Sequence, residues 1–163
     1  VGKLSLKYKI YNMITIEEFK KKQSNKVRFI GLDLGSKRIG VSICDERQSI
    51  ATPFKTINKT NTNDLIEELK KIIAENNIEG IVIGNPINMN GSMGRSAQSV
   101  NDVTTNISKS IKLPIILWDE RLSTVGAFNL SNQLDVNVSK RVKTIDQNAA
   151  AFILQGAIDY LNN

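Results

Sequence analysis

Short apolar segments follow one another in a fixed order along this 163-residue chain, and that order limits the folds open to it. Three apolar runs come first, each bounded by polar residues: Val27–Leu34, Ile39–Cys44 and Ile50–Ile57. Runs of this length and spacing are typical of strands joined by hairpins. Pro53 in the third run indicates an edge strand or a bulge, because proline cannot donate a hydrogen bond to a strand ladder.

Helix and strand patterns alternate in the rest of the chain. Helices are predicted over Asp64–Asn77, Arg95–Ser110, Ser123–Leu134 and Asp146–Leu161, and strands over Gly80–Gly84 and Pro114–Trp118. Hairpin strands followed by such units favour an α/β protein with a mixed five-stranded sheet. We expect three antiparallel strands, then parallel βα units, with helices on both faces of the sheet.

The chain length suits one domain, which we place at residues 27–163. Residues 1–26 are predicted to be a poorly defined extension, because lysines interrupt their apolar positions. Within this extension a helix is indicated around Ile14–Lys22. No apolar run approaches the length of a membrane span, so we expect neither a membrane anchor nor a signal peptide.

The composition excludes several kinds of catalytic site. The chain has no histidine, which rules out Ser-His-Asp triads, histidine bases and histidine zinc sites. Its single cysteine, Cys44, lies in an apolar run and is expected in the core, with no intrachain disulfide. This cysteine usage is compatible with a reducing, cytoplasmic location. The net charge of +6 favours a polyanionic partner, with nucleic acid first.

Three carboxylates are the candidates for chemistry. Asp33 interrupts an apolar strand, Glu120 follows the strand that ends at Trp118, and Asp146 begins the last predicted helix. Carboxylate oxygens that arrive from separate elements suit Mg²⁺ or Mn²⁺. Together they could hold two such ions, which would favour metal-assisted phosphodiester hydrolysis. We therefore predict Asp33, Glu120 and Asp146 as metal ligands and as catalytic residues.

Each carboxylate also has a structural alternative. Asp33 could pair with a cation of the turn that follows it, and Asp146 could cap its helix. Asp119 precedes Glu120, and consecutive strand residues point to opposite faces, so one of the two is expected to face Asp33. The spacing favours Glu120 and leaves a contribution from Asp119 open.

Basic side chains near the predicted site could follow a nucleic-acid backbone without reading its sequence. They fall near predicted loops: Lys37, Arg38, Arg95, Arg121, Lys140, Arg141 and Lys143. The glycine-rich segment Gly84–Gly94 matches neither a Walker loop nor a dinucleotide fingerprint. Its expected roles are to position the next helix and to approach a phosphate through backbone N–H groups.

Four segments carry a family resemblance. They are Asp-x-Gly-x-x-x-x-Gly-Val at Asp33–Val41, Gly-x-Pro-x-Asn-Met-x-Gly at Gly84–Gly91, Asp-Glu-Arg-Leu-Ser-Thr at Asp119–Thr124, and Asp-x-x-Ala-Ala at Asp146–Ala150. In this order they resemble the YqgF/RuvX family of bacterial proteins, over roughly residues 28–161. The family has a ribonuclease H-like fold, and its members are known as Holliday-junction-resolvase-like proteins or pre-16S ribosomal RNA nucleases. Asn85 and Asn90 depart from the family pattern.

The resemblance implies a Mg²⁺- or Mn²⁺-dependent nuclease whose acidic site consists of Asp33, Glu120 and Asp146. It implies 5′-end processing of pre-16S ribosomal RNA in ribosome biogenesis, with Holliday junction cleavage in DNA recombination as the alternative. Two other hypotheses are a non-catalytic nucleic-acid-binding protein and an ATP-binding module, the latter because Gly31–Ser36 also resembles a phosphate loop of actin-type ATPases. The sequence leaves both a monomer and a homodimer open.

Overall fold

The computed structural model describes residues 12–86, 90–120 and 138–163, with the backbone alone between 138 and 147. The strands in these ranges are β1 (Phe29–Leu34), β2 (Arg38–Cys44), β3 (Ala51–Asn58), β4 (Gly80–Asn85) and β5 (Ile115–Asp119). The helices are α1 (Ile16–Lys22), α2 (Thr62–Asn76), α3 (Arg95–Ser110) and α4 (Val138–Asn162). The predicted helix Ser123–Leu134 lies outside the described residues.

The strands form one mixed sheet in the order β3-β2-β1-β4-β5. The first three strands pair antiparallel, and β4 and β5 run parallel to β1. This confirms the predicted α/β fold with three antiparallel strands followed by parallel units. Both features expected from Pro53 are present, because β3 is an edge strand and the β2–β3 register shifts between Val41 and Ser42.

Helices cover the sheet on both faces. On one face, α2 and α3 bury apolar residues such as Leu69 and Ile107 against Ile30 and Ile83. The side chain of Asn61 caps α2 by accepting a hydrogen bond from the N–H of Asp64 at 2.8 Å. On the other face, α4 packs apolar residues against β1, β4 and β5. Within the described ranges, no helix combines the length and the apolar character needed to cross a membrane.

Residues 12–22 pack on the domain, although the sequence predicts a poorly defined extension there. Met13 pairs with Ile115 at the outer edge of β5, and Ile16 and Phe19 of α1 are buried. The ring of Phe19 meets the ring of Phe29 edge-on, with the centroids 5.3 Å apart. The prediction misses this because the interrupted apolar positions find their partners far away in the chain. The helix indicated around Ile14–Lys22 is confirmed as α1.

Helix α4 begins earlier than the sequence analysis predicts. The segment 135–144 is polar and basic, and the helix was expected from Asp146, yet α4 starts at Val138. Lysine and arginine favour helices, and the residues from Val138 to Thr144 include neither glycine nor proline. A polar segment without helix breakers is therefore compatible with a helical backbone as well as with a loop. Because α4 starts at Val138, the backbone of Lys140, Arg141 and Lys143 is helical and not part of a loop.

Candidate active site

The side chains of Asp33 and Glu120 lie on the face of the sheet that α4 covers. On β1, Gly31 faces α4, since a β-carbon there would lie 2.7 Å from Cβ of Leu154. Side chains alternate along a strand, so Asp33, two residues further, points to the same face. On β5, Trp118 packs in the layer of α4, and Glu120 follows it two residues later.

Glu120 lies directly over Gly84 in β4. A β-carbon on Gly84 would be 2.9 Å from Cγ and 3.0 Å from Cδ of Glu120, and 2.5 Å from Cδ1 of Ile153. The absent side chain therefore leaves the space that the Glu120 carboxyl group needs. Because β4 lies between β1 and β5, Asp33 and Glu120 approach each other across the end of β4.

The approach of the two carboxylates is visible in the electrostatics of Glu120. Burial first, and then the negative charges of Asp33 and Asp119, together raise the pKa of this group from 4.5 to about 7. Near neutral pH the Glu120 carboxyl group is therefore poised between its two protonation states. Asp119 is the last residue of β5 and lines a pocket at the outer edge of that strand.

Two crowded carboxylates fit a hard divalent cation. Their oxygens are the ligands that Mg²⁺ and Mn²⁺ prefer, and a cation between them would remove the repulsion that raises the pKa of Glu120. Among the side chains that the structure describes, no group of three acidic, histidine or cysteine residues is close enough to hold a metal. The third predicted ligand, Asp146, has its side chain outside the described residues.

The backbone of Asp146 belongs to α4, eight residues after its first residue. Asp146 is therefore not the helix cap that the sequence analysis allowed. Ala150, one turn later, contacts β1 and β2: its carbonyl oxygen accepts a hydrogen bond from Oγ of Ser42 at 2.8 Å. At the other end of α4, Nδ2 of Asn162 donates to the carbonyl of Gln48 at 2.7 Å, beyond the end of β2.

These contacts set the direction of α4 relative to the site. The C-terminal end of the helix lies by the β2–β3 turn, next to the start of β1, so its N-terminal half points toward the Asp33 end of β1. Four residues of helix rise about 6 Å. The α4 backbone at Asp146 is thus displaced by roughly that distance from Ala150, toward the end of the sheet where Asp33 and Glu120 lie.

The predicted nucleic-acid-binding residues are only partly described. Lys37 is exposed and Arg38 is half-buried, and both follow Asp33 in the turn and strand that come next. Arg95 is exposed at the first position of α3. The side chains of Arg121, Lys140, Arg141 and Lys143 lie outside the described residues.

Sequence reasoning missed three residues that position this site. Gly31 and Gly84 let α4 and the Glu120 side chain approach the sheet, and Ser42 binds the α4 backbone. A glycine inside an apolar strand often indicates such a close approach, so both glycines carried a readable signal. Ser42 carried none beyond being a hydroxyl in an apolar run.

Solved structures show the class of fold. The chain aligns with Thermus thermophilus RuvC in complex with a Holliday junction substrate at a TM-score of 0.51 and 9% identity, over 82% of this chain and 95% of that one. It aligns with the yeast mitochondrial Holliday junction resolvase Ydc2 at a TM-score of 0.50 and 10% identity, over 90% of this chain and 84% of that one. The fold is therefore that of the ribonuclease H-like class.

Sequence comparison gives the family. Residues 27–160 match the RuvX family, described as Holliday junction resolvase, and the chain belongs to this family. A protein of Pelagibacter ubique named "putative pre-16S rRNA nuclease" is 85% identical over 151 residues, which cover 93% of this chain and all of that protein. A protein of the same name from Rhodobacter capsulatus is 46% identical over 131 residues, 80% of this chain and 82% of that one.

Proposed function

We propose that this protein is a divalent-metal-dependent endonuclease that hydrolyses phosphodiester bonds of structured nucleic acid. The observation that carries the proposal is the approach of Asp33 and Glu120 across the end of β4, which contributes to a pKa of about 7 at Glu120. Two acidic groups held together repel each other, and a divalent cation between them would relieve that repulsion. The net charge of +6 separately favours a polyanionic substrate. Family membership supports the same activity.

Asp33, Glu120 and Asp146 are the residues that would hold the metal. Bound Mg²⁺ or Mn²⁺ ions, two of them with substrate, would supply an activated water and stabilise the charge on the leaving oxygen. The protein's own contribution is to keep the acidic oxygens close and partly shielded from water, which favours binding of a cation and, without one, of a proton at Glu120. Lys37, Arg38 and Arg95 would contact phosphates, together with Arg121, Lys140, Arg141 and Lys143.

The leading substrate is the 5′ end of pre-16S ribosomal RNA, which would place the protein in the cytoplasm during ribosome biogenesis. The names of the relatives from Pelagibacter ubique and Rhodobacter capsulatus support this choice. Four-way DNA junctions are the alternative substrate, which the family description and the resolvases of similar fold support.

The test compares Asp33→Asn and Glu120→Gln with the wild type on both substrates. Each variant keeps the shape of the side chain and removes its charge, so cleavage in Mg²⁺ or Mn²⁺ should fall by several orders of magnitude while binding persists. Glu79→Gln is the matched control, because Glu79 is an exposed carboxylate just before the opposite end of β4. Full cleavage by either site variant would refute the assignment.

The two substrates separate the two roles. Faster cleavage of a pre-16S fragment than of a four-way junction supports ribosomal RNA processing, and the reverse order supports junction resolution. Binding of both substrates with steep salt dependence, but cleavage of neither by the wild type, would instead favour a non-catalytic nucleic-acid-binding protein.

A further inference from the structure

A pocket of about 520 Å³ opens at the outer edge of β5. Its walls include Met13 and Ile14 from the N-terminal segment, Leu117 and Trp118 from β5, and Tyr160 from α4. This volume lies within the range of small-ligand sites, about 300–1,000 Å³. The lining is mainly apolar and aromatic, which suits a flat organic group rather than a solvated ion.

β5 runs along this pocket, and its backbone groups alternate between β4 and the outer edge of the sheet. The N–H of Ile81 in β4 donates to the carbonyl of Pro114. The even-numbered residues of β5 therefore direct their backbone N–H and carbonyl groups toward β4. Ile115 faces outward: its N–H donates to the carbonyl of Asn12 at 2.6 Å, and its carbonyl accepts from the N–H of Ile14 at 2.9 Å. Leu117, two residues further, therefore also presents its N–H and its carbonyl to the open edge. No hydrogen bond joins these two groups to any other residue in the described ranges.

The open part of this edge is too short for a peptide strand. Ile115 is already paired with the N-terminal segment, and the strand ends at Asp119. Within the described ranges, the N–H and the carbonyl of Leu117 are the backbone groups left open between Ile115 and the end of the strand. A neighbouring donor and acceptor of this kind matches the edge of a nucleobase, where an acceptor and a donor also lie side by side.

The aromatic side chains of the pocket favour the same kind of ligand. Trp118 and Tyr160 meet edge-on with their centroids 6.4 Å apart, and Tyr160 keeps 37% of its surface exposed. Nζ of Lys20 lies 4.9 Å from the centroid of the Tyr160 ring and places a positive charge beside the pocket. Unstacked bases bind on aromatic rings with cations nearby for their phosphates.

The pocket adjoins the acidic site. Asp119 lines its wall, and the next residue, Glu120, reaches over Gly84 toward Asp33. We propose that this pocket binds one unpaired nucleobase of the nucleic acid whose backbone lies at Asp33 and Glu120. This inference rests on the proposed nuclease function and deepens it: the substrate would carry an unstacked nucleotide next to the cleaved bond.

The single tryptophan of the chain provides the test. In buffer with a chelator and no divalent metal, where no cleavage is expected, a short single-stranded RNA should quench Trp118 fluorescence on titration. For an abasic strand of the same length and for a fully paired duplex, the concentration at half-maximal quenching should be at least about tenfold higher. Base stacking on an aromatic ring supplies that much affinity. Equal quenching by the abasic strand would overturn the proposal.

Variants connect the signal to the pocket. Tyr160→Ala should raise the RNA concentration at half-maximal quenching about tenfold. Tyr160→Phe should keep the wild-type value, and Phe54→Ala should leave it unchanged. Phe54 is the control because it is an aromatic residue with 44% exposure on β3, at the other edge of the sheet. Unchanged quenching in Tyr160→Ala would overturn the proposal.

Two further titrations identify the source of the ligand. Free nucleoside monophosphates should quench far more weakly than the strand, and equally tight binding of a free nucleotide would overturn the assignment to the substrate. Cleavage without base-dependent quenching would refute the pocket alone. Base-dependent quenching without cleavage in Mg²⁺ or Mn²⁺ would refute the proposed nuclease function alone.

Discussion

The carboxyl group of Glu120 occupies the space that a side chain would fill at Gly84, with only 3.0 Å between Cδ of Glu120 and the position of the missing β-carbon. The absence of a side chain at one buried position of β4 thereby decides where the acidic group that follows β5 can lie. The same position would meet Cδ1 of Ile153 in α4 at 2.5 Å. The glycine is therefore in contact both with the candidate site and with the helix that covers it.

Gly84→Ala should lower the cleavage rate by more than its loss of stability accounts for. The added methyl group must displace the flexible ends of Glu120 and Ile153, which costs about 1–3 kcal/mol of unfolding free energy. Displacement of the Glu120 carboxyl group should lower kcat roughly 10- to 100-fold, because small errors in position are costly in catalysis. Gly80→Ala is the control, since its β-carbon would meet only the ring of Phe29 among its nearest neighbours. Equal losses of activity in both variants at matched stability would contradict this prediction.

The raised pKa of Glu120 predicts a pH-dependent stability. Between pH 4.5 and about 7 the folded protein keeps a proton that the unfolded chain releases. The stabilisation from the neutral group is therefore complete below pH 4.5 and is lost as the pH rises through about 7. Glu120→Gln mimics the neutral group, so without divalent metal its Tm should equal that of the wild type near pH 4.5 and exceed it at pH 8. Thermal unfolding at a series of pH values checks this, and Tm curves that stay parallel would contradict it.

Divalent cations should shift the pH profile of cleavage toward lower pH. A metal ion and a proton compete for the Glu120 carboxylate, so the pH of half-maximal cleavage should fall as the Mg²⁺ concentration rises. At low Mg²⁺ concentration, the pH of half-maximal cleavage should approach the pKa of the metal-free Glu120, which is about 7. Cleavage rates measured over pH 5–9 at several Mg²⁺ concentrations give this shift. A midpoint that does not move with Mg²⁺ would exclude Glu120 as a ligand.

Gly31→Ala should move α4 away from the sheet. Its β-carbon would lie 2.7 Å from Cβ of Leu154 and 3.0 Å from the carbonyl oxygen of Ala150, and neither atom is the end of a flexible side chain. We expect a loss of about 3 kcal/mol of unfolding free energy and a lower kcat, because Asp146 lies one turn before Ala150. Ser42→Ala removes the hydroxyl that donates to the carbonyls of Ala150 at 2.8 Å and Gly31 at 3.5 Å, and it should cost about 1 kcal/mol. Denaturant unfolding separates the two, and a smaller loss for Gly31→Ala than for Ser42→Ala would contradict the packing argument.

Phe19→Ala should show that α1 belongs to the folded domain. Phe19 is 9% exposed and packs on Phe29, so its truncation should lower the unfolding free energy by about 3 kcal/mol. Lys21→Ala on the exposed side of the same helix should change it little. Urea unfolding of both variants is the measurement. A Phe19→Ala variant as stable as the wild type would mean that α1 contributes nothing to the core in solution.

Local patterns predicted most of the secondary structure. The bounds of α3, Arg95–Ser110, agree with the prediction, and β2, β3 and β4 agree to within one residue at each end. Such elements depend on apolar periodicity and caps within a few neighbouring residues, and these are readable in the sequence. The start of α4 was predicted eight residues too late, because a polar segment without helix breakers was interpreted as a loop.

The sequence by itself determined the kinds of group available: acidic oxygens, abundant cations, no histidine and one buried cysteine. It also determined the order of strands and helices, from which the mixed five-stranded sheet follows, and the four motifs whose resemblance to the YqgF/RuvX family implies a ribonuclease H-like fold. The tertiary structure alone decided that Glu120 lies over Gly84, that Ser42 binds the α4 backbone, and that residues 13–17 line a pocket beside Trp118. These relationships join residues that are 36 to more than 100 positions apart, and no local pattern encodes which distant backbones will come into contact.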